Sequence, residues 1–427
     1  MDNSEKSFYL AIAITIFTMI STKKKIKFAI LGYGNRARKY LKYIEEHPDK
    51  AEITAIVEVN SLLLKSAQEK YKGWNILFFN NSSDFFNKNL NIDAIIIATP
   101  DDSHFELSIK AISMHYNILL EKPIAQSLEQ CNQICEYASR NNVKVFVCYV
   151  LRYHPYFKKL KEILNSKELG KIISINHTVN VGIDRMTHTF VRGIESETEK
   201  SNPIILSKCC HDIDLLLWLS ESSCKNVNST GSLDYFCKKN APKGSGLRCS
   251  ECSIEPKCRF SAIDLYKKRK EWINNFIQQG IGTTEEILNE VINKSPYGRC
   301  VYQCTNDVVD NQEVKIELKN GIEIQLRLNC ITEKDNRETV VKCTNGWLNA
   351  NENYIKFRKK NETEEKVYDF RSYRNMPLHA NADIAIVEDF IENLNGNINV
   401  DSPTIESSLE SHKICFLAEK SRIKEHF

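Results

Sequence analysis

Short apolar runs and amphipathic stretches alternate through the first third of the chain. Ile26 to Leu31 (IKFAIL) is a compact apolar run, and a helical pattern follows it to about Glu46. Ile53 to Val57 is a second run, ending at Glu58, with a helical stretch from Ser61 to Lys72 behind it. Ala94 to Ala98 (AIIIA) is closed by Thr99-Pro100 and leads to a helix over His104 to His115. Ile118 to Leu120 stops abruptly at Glu121-Lys122-Pro123. A helix over Gln126 to Asn141 and a last run, Val143 to Val150, complete the series. Runs that are apolar throughout, rather than at every second position, suit strands buried on both faces. Strand and helix in alternation, with short connections, predict a doubly wound parallel sheet.

Beyond about Tyr149 the rhythm changes. A helix over Tyr156 to Asn165 leads through Gly170 into an alternating strand, Ile172 to Val181. A helix over Cys210 to Leu219 follows, and then a long irregular stretch from about Ser222 to Asp307. Strands are expected at Glu313 to Leu318, Glu323 to Cys330, Thr339 to Cys343, Trp347 to Ala350, Ile355 to Arg358 and Lys366 to Asp369. Two helices, Ala382 to Asn395 and Ile405 to Lys424, come last. Alternating strands of this kind predict an open, mostly antiparallel sheet with one solvated face, in an α+β domain. The division is therefore an apolar segment over residues 1–24, a nucleotide-type domain over 25–148 and a second domain over 149–427, with a Cys-rich insertion at about 237–304. A broad open sheet face also predicts a homo-oligomer, dimer or tetramer.

Composition adds limits. The 427 residues are 42% hydrophobic and 26% charged, ordinary for a globular chain. A net charge of +3 without a basic stripe argues against nucleic acid as a partner. Phe8 to Ile20 is a 13-residue apolar run, too short for a comfortable membrane span. Asp2 and Glu5 spoil a signal peptide's basic start, while Lys23 to Lys25 follow the run. The expectation is a cytoplasmic protein with no membrane association, with start of translation at Met19; an N-terminal anchor or export through residues 8–20 is the alternative. Most of the 15 cysteines are scattered through apolar segments, as in a reducing compartment. Cys249-x2-Cys252-x5-Cys258 with Cys300-x3-Cys304 has metal-ligand spacing instead. Cys249, Cys252, Cys258 and Cys304 are expected to hold a structural Zn²⁺, with Cys300 as the alternative fourth ligand. Disulfides, or free thiols, are the competing readings.

The candidate chemistry gathers at the ends of the first strands. Gly32-x-Gly34-x-x-Ala37 joins a strand to a helix; its glycines permit a tight turn and close approach of backbone to a pyrophosphate. Glu58, ending the second strand, suits a ribose diol and disfavours a 2′-phosphate, so NAD is expected over NADP. Arg36 and Arg38 keep NADP open. Lys122 ends a strand at the edge where open α/β sheets bind ligands.

Together these residues resemble the Gfo/Idh/MocA family, the glucose–fructose oxidoreductase and inositol dehydrogenase type. The resemblance rests on Gly32-Tyr33-Gly34-Asn35-Arg36-Ala37, Ala98-Thr99-Pro100 with His104, Glu121-Lys122-Pro123, Leu151-Arg152-Tyr153, Gly170-Lys171-Ile172 and Lys208-Cys209-Cys210-His211-Asp212-Ile213-Asp214, and covers about residues 25–427. It implies a Rossmann domain, a second domain with an open sheet, and transfer of a hydride between a nicotinamide and a ring hydroxyl or ketone of a sugar, sugar derivative or cyclitol. Gly32, Gly34, Asn35, Arg36, Ala37, Glu58, Thr99, Pro100, His104, Glu121 and Lys122 are then the expected cofactor contacts. Lys122 is expected to donate to the substrate oxygen, with its pKa lowered by burial and the nicotinamide charge. His211 is expected as acid–base group near working pH, with Lys208 on the same helix face and Asp214 placed to orient it. An ion pair of Lys122 with Glu121, and a purely structural His211, are the bland alternatives.

A subgroup with a Cys-rich insertion is also suggested, by His188-Thr189-Phe190-Val191-Arg192-Gly193 and Ser408-Leu409-Glu410-Ser411-His412. Arg152, Tyr153, His188 and His379 are expected near the substrate, with Asp383 beside His379. Two departures stand out. Ser207 occupies the position where the family usually has an aspartate, and Ile194-Glu195 stands where the subgroup has Asn-Trp. An NAD-dependent glycosidase of the same superfamily and a non-catalytic dinucleotide-binding protein remain as alternative functions.

Overall fold

The computed structural model describes residues 24–273, 283–373 and 376–424. The apolar run Phe8–Ile20, with the choice of localisation that hangs on it, lies outside the described residues. No helix among the described residues is long and apolar enough to cross a membrane.

The first domain runs β1 (Ile26–Leu31), α1 (Asn35–Glu46), β2 (Ala51–Val57), α2 (Ser61–Lys70), β3 (Leu77–Phe79), α3 (Ser82–Asn87), β4 (Ala94–Ile97), α4 (His104–Ser113), β5 (Asn117–Leu120), α5 (Leu128–Arg140) and β6 (Val145–Val147). The six strands lie in the order β3-β2-β1-β4-β5-β6, all parallel. This is the doubly wound arrangement, and its chain reversal puts the ends of β1 and β4 side by side. Every side chain of β4 is buried, which is why the strand reads as an unbroken apolar run. β3 and α3 escaped the sequence reading: β3 is a short edge strand with Leu77 exposed, and α3 is a six-residue helix started by the Asn81 side chain accepting from Asp84 N.

The second domain comprises α6 (Pro155–Asn165), β7 (Ile172–Gly182), α7 (Ile204–Ser220), β8 (Cys224–Ser232), α8 (Ala262–Lys268), α9 (Thr284–Lys294), β9 (Asn311–Leu318), β10 (Glu323–Thr332), β11 (Asn336–Cys343), β12 (Gly346–Ala350), β13 (Tyr354–Lys359), β14 (Lys366–Asp369), α10 (Pro377–Leu394) and α11 (Ile405–Lys424). Its sheet has the order β14-β13-β12-β11-β7-β10-β9-β8. β7 and β10 pair in parallel and the remaining neighbours are antiparallel. Side chains alternate as the pattern requires: Val314, Ile316, Ile324 and Leu326 point inward, toward the side where α7 and α11 pack. Ser174, Asn176, Lys315, Glu317, Glu323 and Gln325 line a shallow outer cavity of about 560 Å³. That face is polar, so the sheet itself does not demand the oligomeric cover its openness suggested.

Two differences from the sequence reading have clear causes. α7 begins at Ile204, not Cys210, because it is buried on nearly every side and carries no amphipathic stripe to mark its start. The stretch 222–307 is not uniformly irregular. β8 (CKNVNSTGS) is a polar edge strand, and α9 is announced by a capping box, Thr283 with Glu286.

A buried ion pair fixes α7 to the segment that leaves the first domain. Arg152, just past β6, donates through Nε and Nη2 to Asp214 of α7 at 2.8 and 2.5 Å, and through Nη1 to the Asp401 carbonyl at 3.1 Å. Both partners are almost fully buried, so removal of one strands the other charge. Asp214→Ala is expected to lose about 3–5 kcal/mol of stability, read as a lower urea midpoint with unchanged slope.

Candidate active site

Gly32 adopts φ +85°, and a Cβ there would lie 2.6 Å from the Ala98 carbonyl oxygen, so the turn runs hard against the end of β4. Gly34 is the reverse case. A Cβ at Gly34 meets nothing within 4 Å, and α1 starts here without a side-chain cap or an acidic residue in its first turn. Open space above uncapped N–H groups is a cradle that a phosphate fits. Asn35 is exposed beside it and Ala37 is packed against the core. Glu58 accepts from the N–H of Tyr33 at 2.7 Å and of Asn60 at 2.8 Å, which fixes a carboxylate at the tip of β2. Thr99 and Pro100 follow β4, with Ser103 Oγ donating to Thr99 Oγ1 at 2.7 Å.

Several expected cofactor contacts are occupied by the protein. Arg36 turns inward: Nε donates to Glu121 at 2.6 Å and Nη2 lies 2.9 Å from Asp383. Tyr40 also donates to Glu121, at 2.5 Å. Burial opposes the charge of Glu121, but the Arg36 guanidinium and the Tyr40 hydroxyl hold its carboxyl below the ordinary range. His104 is fully buried, its ring nitrogens 2.7 Å from the Pro123 carbonyl and 3.1 Å from that of Thr99. It clamps two strand-end loops. His379 pairs with buried Asp383 at 2.8 Å and, with Lys39, His154, Arg337 and Glu352, lines a cavity of about 350 Å³.

The expected residues Lys122 and His211 come near one another where β5 meets α7. The Lys122-Pro123 bond is cis, and the Lys122 amine donates to the Ser207 carbonyl at 3.0 Å. Burial would lower this amine, but Cys210, Glu121, Asp101 and Glu195 together hold it above the usual lysine value; the expected lowering does not occur. One turn on from Ser207 stands His211. His211 Nδ1 is buried without a hydrogen-bond partner, and the buried Ser207 Oγ lies beside the Glu195 carboxyl. Burial and the neighbouring Lys122 push the His211 imidazole well below its ordinary value, not near working pH, so it is neutral. Tyr149 sets its ring edge-on to His211 at 5.3 Å. Lys208 is also lowered, by burial and by Arg337 and Arg185, against the pull of Asp335.

Other expected members are elsewhere. Asp214 faces Arg152, not His211. Tyr153 donates to Asp389 at 2.6 Å. His188 sits in an aromatic cluster of the insertion, stacked on Tyr297 at 4.8 Å and 3.0 Å from the Tyr266 hydroxyl; burial takes its pKa down to about 4. Two residues were missed. Asp212 fastens α7 to the sheet through Arg337 at 2.5 Å and His177 at 3.1 Å. Glu195 brings a carboxyl next to Lys122 and the Ser207 side chain; its one sign in sequence was the departure at Ile194-Glu195.

The cysteine cluster forms in part. Cys249, Cys252, Cys258 and Cys300, not Cys304, line a cavity of about 20 Å³ with Arg192. All are free thiols, so the disulfide reading fails. Cys249 Sγ accepts from Ala262 N at 3.4 Å, and Cys304 donates to the Cys300 carbonyl at 3.2 Å. Among the described residues no group of three or more His, Cys, Asp or Glu is arranged to hold a metal ion. The zinc expectation therefore finds no support.

Comparison with known proteins agrees with this layout. Residues 26–149 match the Gfo/Idh/MocA oxidoreductase family, described by its NAD-binding Rossmann fold. The chain is 40% identical over 83 residues to oxidoreductase P35 of Formosa agariphila, covering 19% of this chain and 26% of that protein. It is 26% identical over 264 residues to glucose-6-phosphate 3-dehydrogenase of Bacillus subtilis, covering 58% and 73%. The chain thus spans about a quarter of the length of the first relative and most of the second. The WlbA dehydrogenase of Bordetella pertussis, solved with NADH and UDP-GlcNAcA, superposes with a TM-score of 0.66 at 15% identity, over 95% of this chain and 97% of that one. The family match thus falls on the parallel-sheet domain, which carries the uncapped glycine turn and the lysine that follows β5.

Proposed function

We propose that the protein is a dehydrogenase that moves a hydride between NAD and a ring hydroxyl or ketone of a sugar, sugar derivative or cyclitol. The observation that carries this reading is the Lys122 amine bonded to the Ser207 carbonyl, one turn of α7 before the buried and unpartnered Nδ1 of His211, at the ligand edge of the Rossmann sheet. When bound, the nicotinamide supplies the hydride acceptor or donor. Gly34 and the start of α1 would hold the pyrophosphate, and Glu58 the ribose diol. Because Arg36 is committed to Glu121 and Asp383, it is not free for a 2′-phosphate, which supports NAD over NADP. Lys122, protonated, donates to the substrate oxygen as negative charge develops there. His211 accepts the hydroxyl proton at Nδ1. The sugar relatives support the substrate class.

Lys122→Ala should cut NADH formation on an active sugar or cyclitol about 10²–10⁴-fold while leaving NAD affinity unchanged in calorimetry. Gly34→Ala, whose φ of −70° suits any residue, should keep its thermal midpoint and bind NAD about tenfold more weakly. Because the His211 pKa is depressed, its base form persists as pH falls. The acid limb of the pH–rate profile is expected well below the ordinary histidine value, and a limb at that value would argue against His211 as the base.

A further inference from the structure

The segment that follows Lys122 is held by two buried histidines. The peptide group between Pro123 and Ile124 has its carbonyl 2.7 Å from His104 Nδ1, and its N–H donates to His412 Nε2 at 2.8 Å. Both rings are fully buried, one on α4 of the Rossmann side and the other on α11 of the second domain. A backbone N–H can only donate, so His412 Nε2 presents its lone pair, and in the neutral ring Nδ1 carries the proton. Burial takes the His412 pKa down to about 4, so the ring is neutral at ordinary pH.

The proton on Nδ1 starts a chain in which each donor finds an acceptor. His412 Nδ1 lies 3.0 Å from the Tyr149 hydroxyl, which donates to Ser411 Oγ at 2.7 Å, and Ser411 Oγ donates to the Ser408 carbonyl at 2.7 Å. A buried polar network satisfied in this way is rigid. The Tyr149 ring stands edge-on to His211 at 5.3 Å. One ring nitrogen of His412 thus holds the segment of Lys122, and the other holds the tyrosine that packs on His211. α11 is itself fastened to α7. Cys415 Sγ donates to the Ile205 carbonyl at 3.5 Å, two residues before Ser207, whose carbonyl accepts from the Lys122 amine.

We propose that His412 is the positioning residue for Lys122 and His211: it holds the peptide that follows the lysine and the tyrosine that backs the imidazole, and so sets the distance between the two. The role rests on the dehydrogenase reading, in which Lys122 serves the substrate oxygen and His211 its proton. His104 ties the same peptide to the Thr99 carbonyl of the Rossmann side; His412 ties it to the helix layer that carries His211. The two ring nitrogens can be separated by substitution. A glutamine amide reaches the place of Nε2 and can accept from Ile124. An asparagine amide ends near the place of Nδ1 and keeps Tyr149 alone.

The test compares the purified full chain with its His412→Gln and His412→Asn variants. Hydrogen exchange resolved at the Ile124 amide and acetic anhydride labelling of each lysine are both read by mass spectrometry and need no substrate. A buried N–H without its acceptor opens more readily, so His412→Asn should exchange Ile124 and label Lys122 at least about tenfold faster than wild type, with surface lysines unchanged. His412→Gln should match wild type on both. On an active sugar or cyclitol, His412→Asn should lower kcat about 10²-fold, the cost of a small displacement of a reacting group, with KM for NAD unchanged; His412→Gln should restore kcat. Ile124 or Lys122 rates in His412→Asn equal to wild type, including no labelling of Lys122 in either, would overturn the proposal, as would faster rates with kcat unchanged. If His412→Asn fails to fold, His412→Gln decides: wild-type exchange and kcat support the proposal, and fast Ile124 exchange or a lost kcat contradicts it. Absence of NADH formation by wild type with myo-inositol or D-glucose 6-phosphate bears on the dehydrogenase reading alone.

Discussion

One hydrogen bond joins the parts of this molecule that matter: the Lys122 amine on the Ser207 carbonyl. It runs from the last residues of a Rossmann strand to a helix of the second domain. A buried ammonium is costly unless surrounding groups compensate it. Here the compensation comes from both domains, through Glu121, Asp101 and Glu195. The amine therefore stays charged in a partly closed place, one helical turn from the buried and unpartnered Nδ1 of His211.

The remaining structure holds these groups in place. α7 is tethered at Asp212 to Arg337 and His177 of the sheet, and at Asp214 to Arg152 beyond β6. These pairs alternate with His211 along the helix, so α7 cannot rotate without breaking one of them. His104 and the Arg36–Glu121–Tyr40 group do the same for the strand-end loops. Much of the charge in this region is thus structural.

The parallel sheet was legible because strands buried on both faces must be apolar at every position, as AIIIA is. The outer strands of the second domain were legible from their alternation. What stayed hidden was whatever tertiary contact overrides pattern. β8 is polar because it lies at an edge, and α7 lacks a polar stripe because it is enclosed. Among the expected site residues, Lys122 and His211 lie near one another where β5 approaches α7. Arg152, Asp214, Tyr153 and His104 bond protein partners that spacing does not reveal, because a polar residue in a motif looks the same whatever it meets. Glu195 could not be found from spacing, since only the path of its loop brings it to Lys122. The cysteine spacing predicted proximity correctly for Cys249, Cys252 and Cys258, but proximity is not coordination geometry.

The central claim is that a ring carbon gives its hydride to a cofactor held at the glycine turn, with Lys122 at the oxygen. The direct measurement is isotope transfer: the protein is incubated with NAD and carbon-deuterated sugars and cyclitols, and the recovered cofactor is weighed by mass spectrometry. The account predicts deuterium in the reduced nicotinamide with at least one ring substrate. Saturating NAD binding with no deuterium in the cofactor from any of them would contradict it.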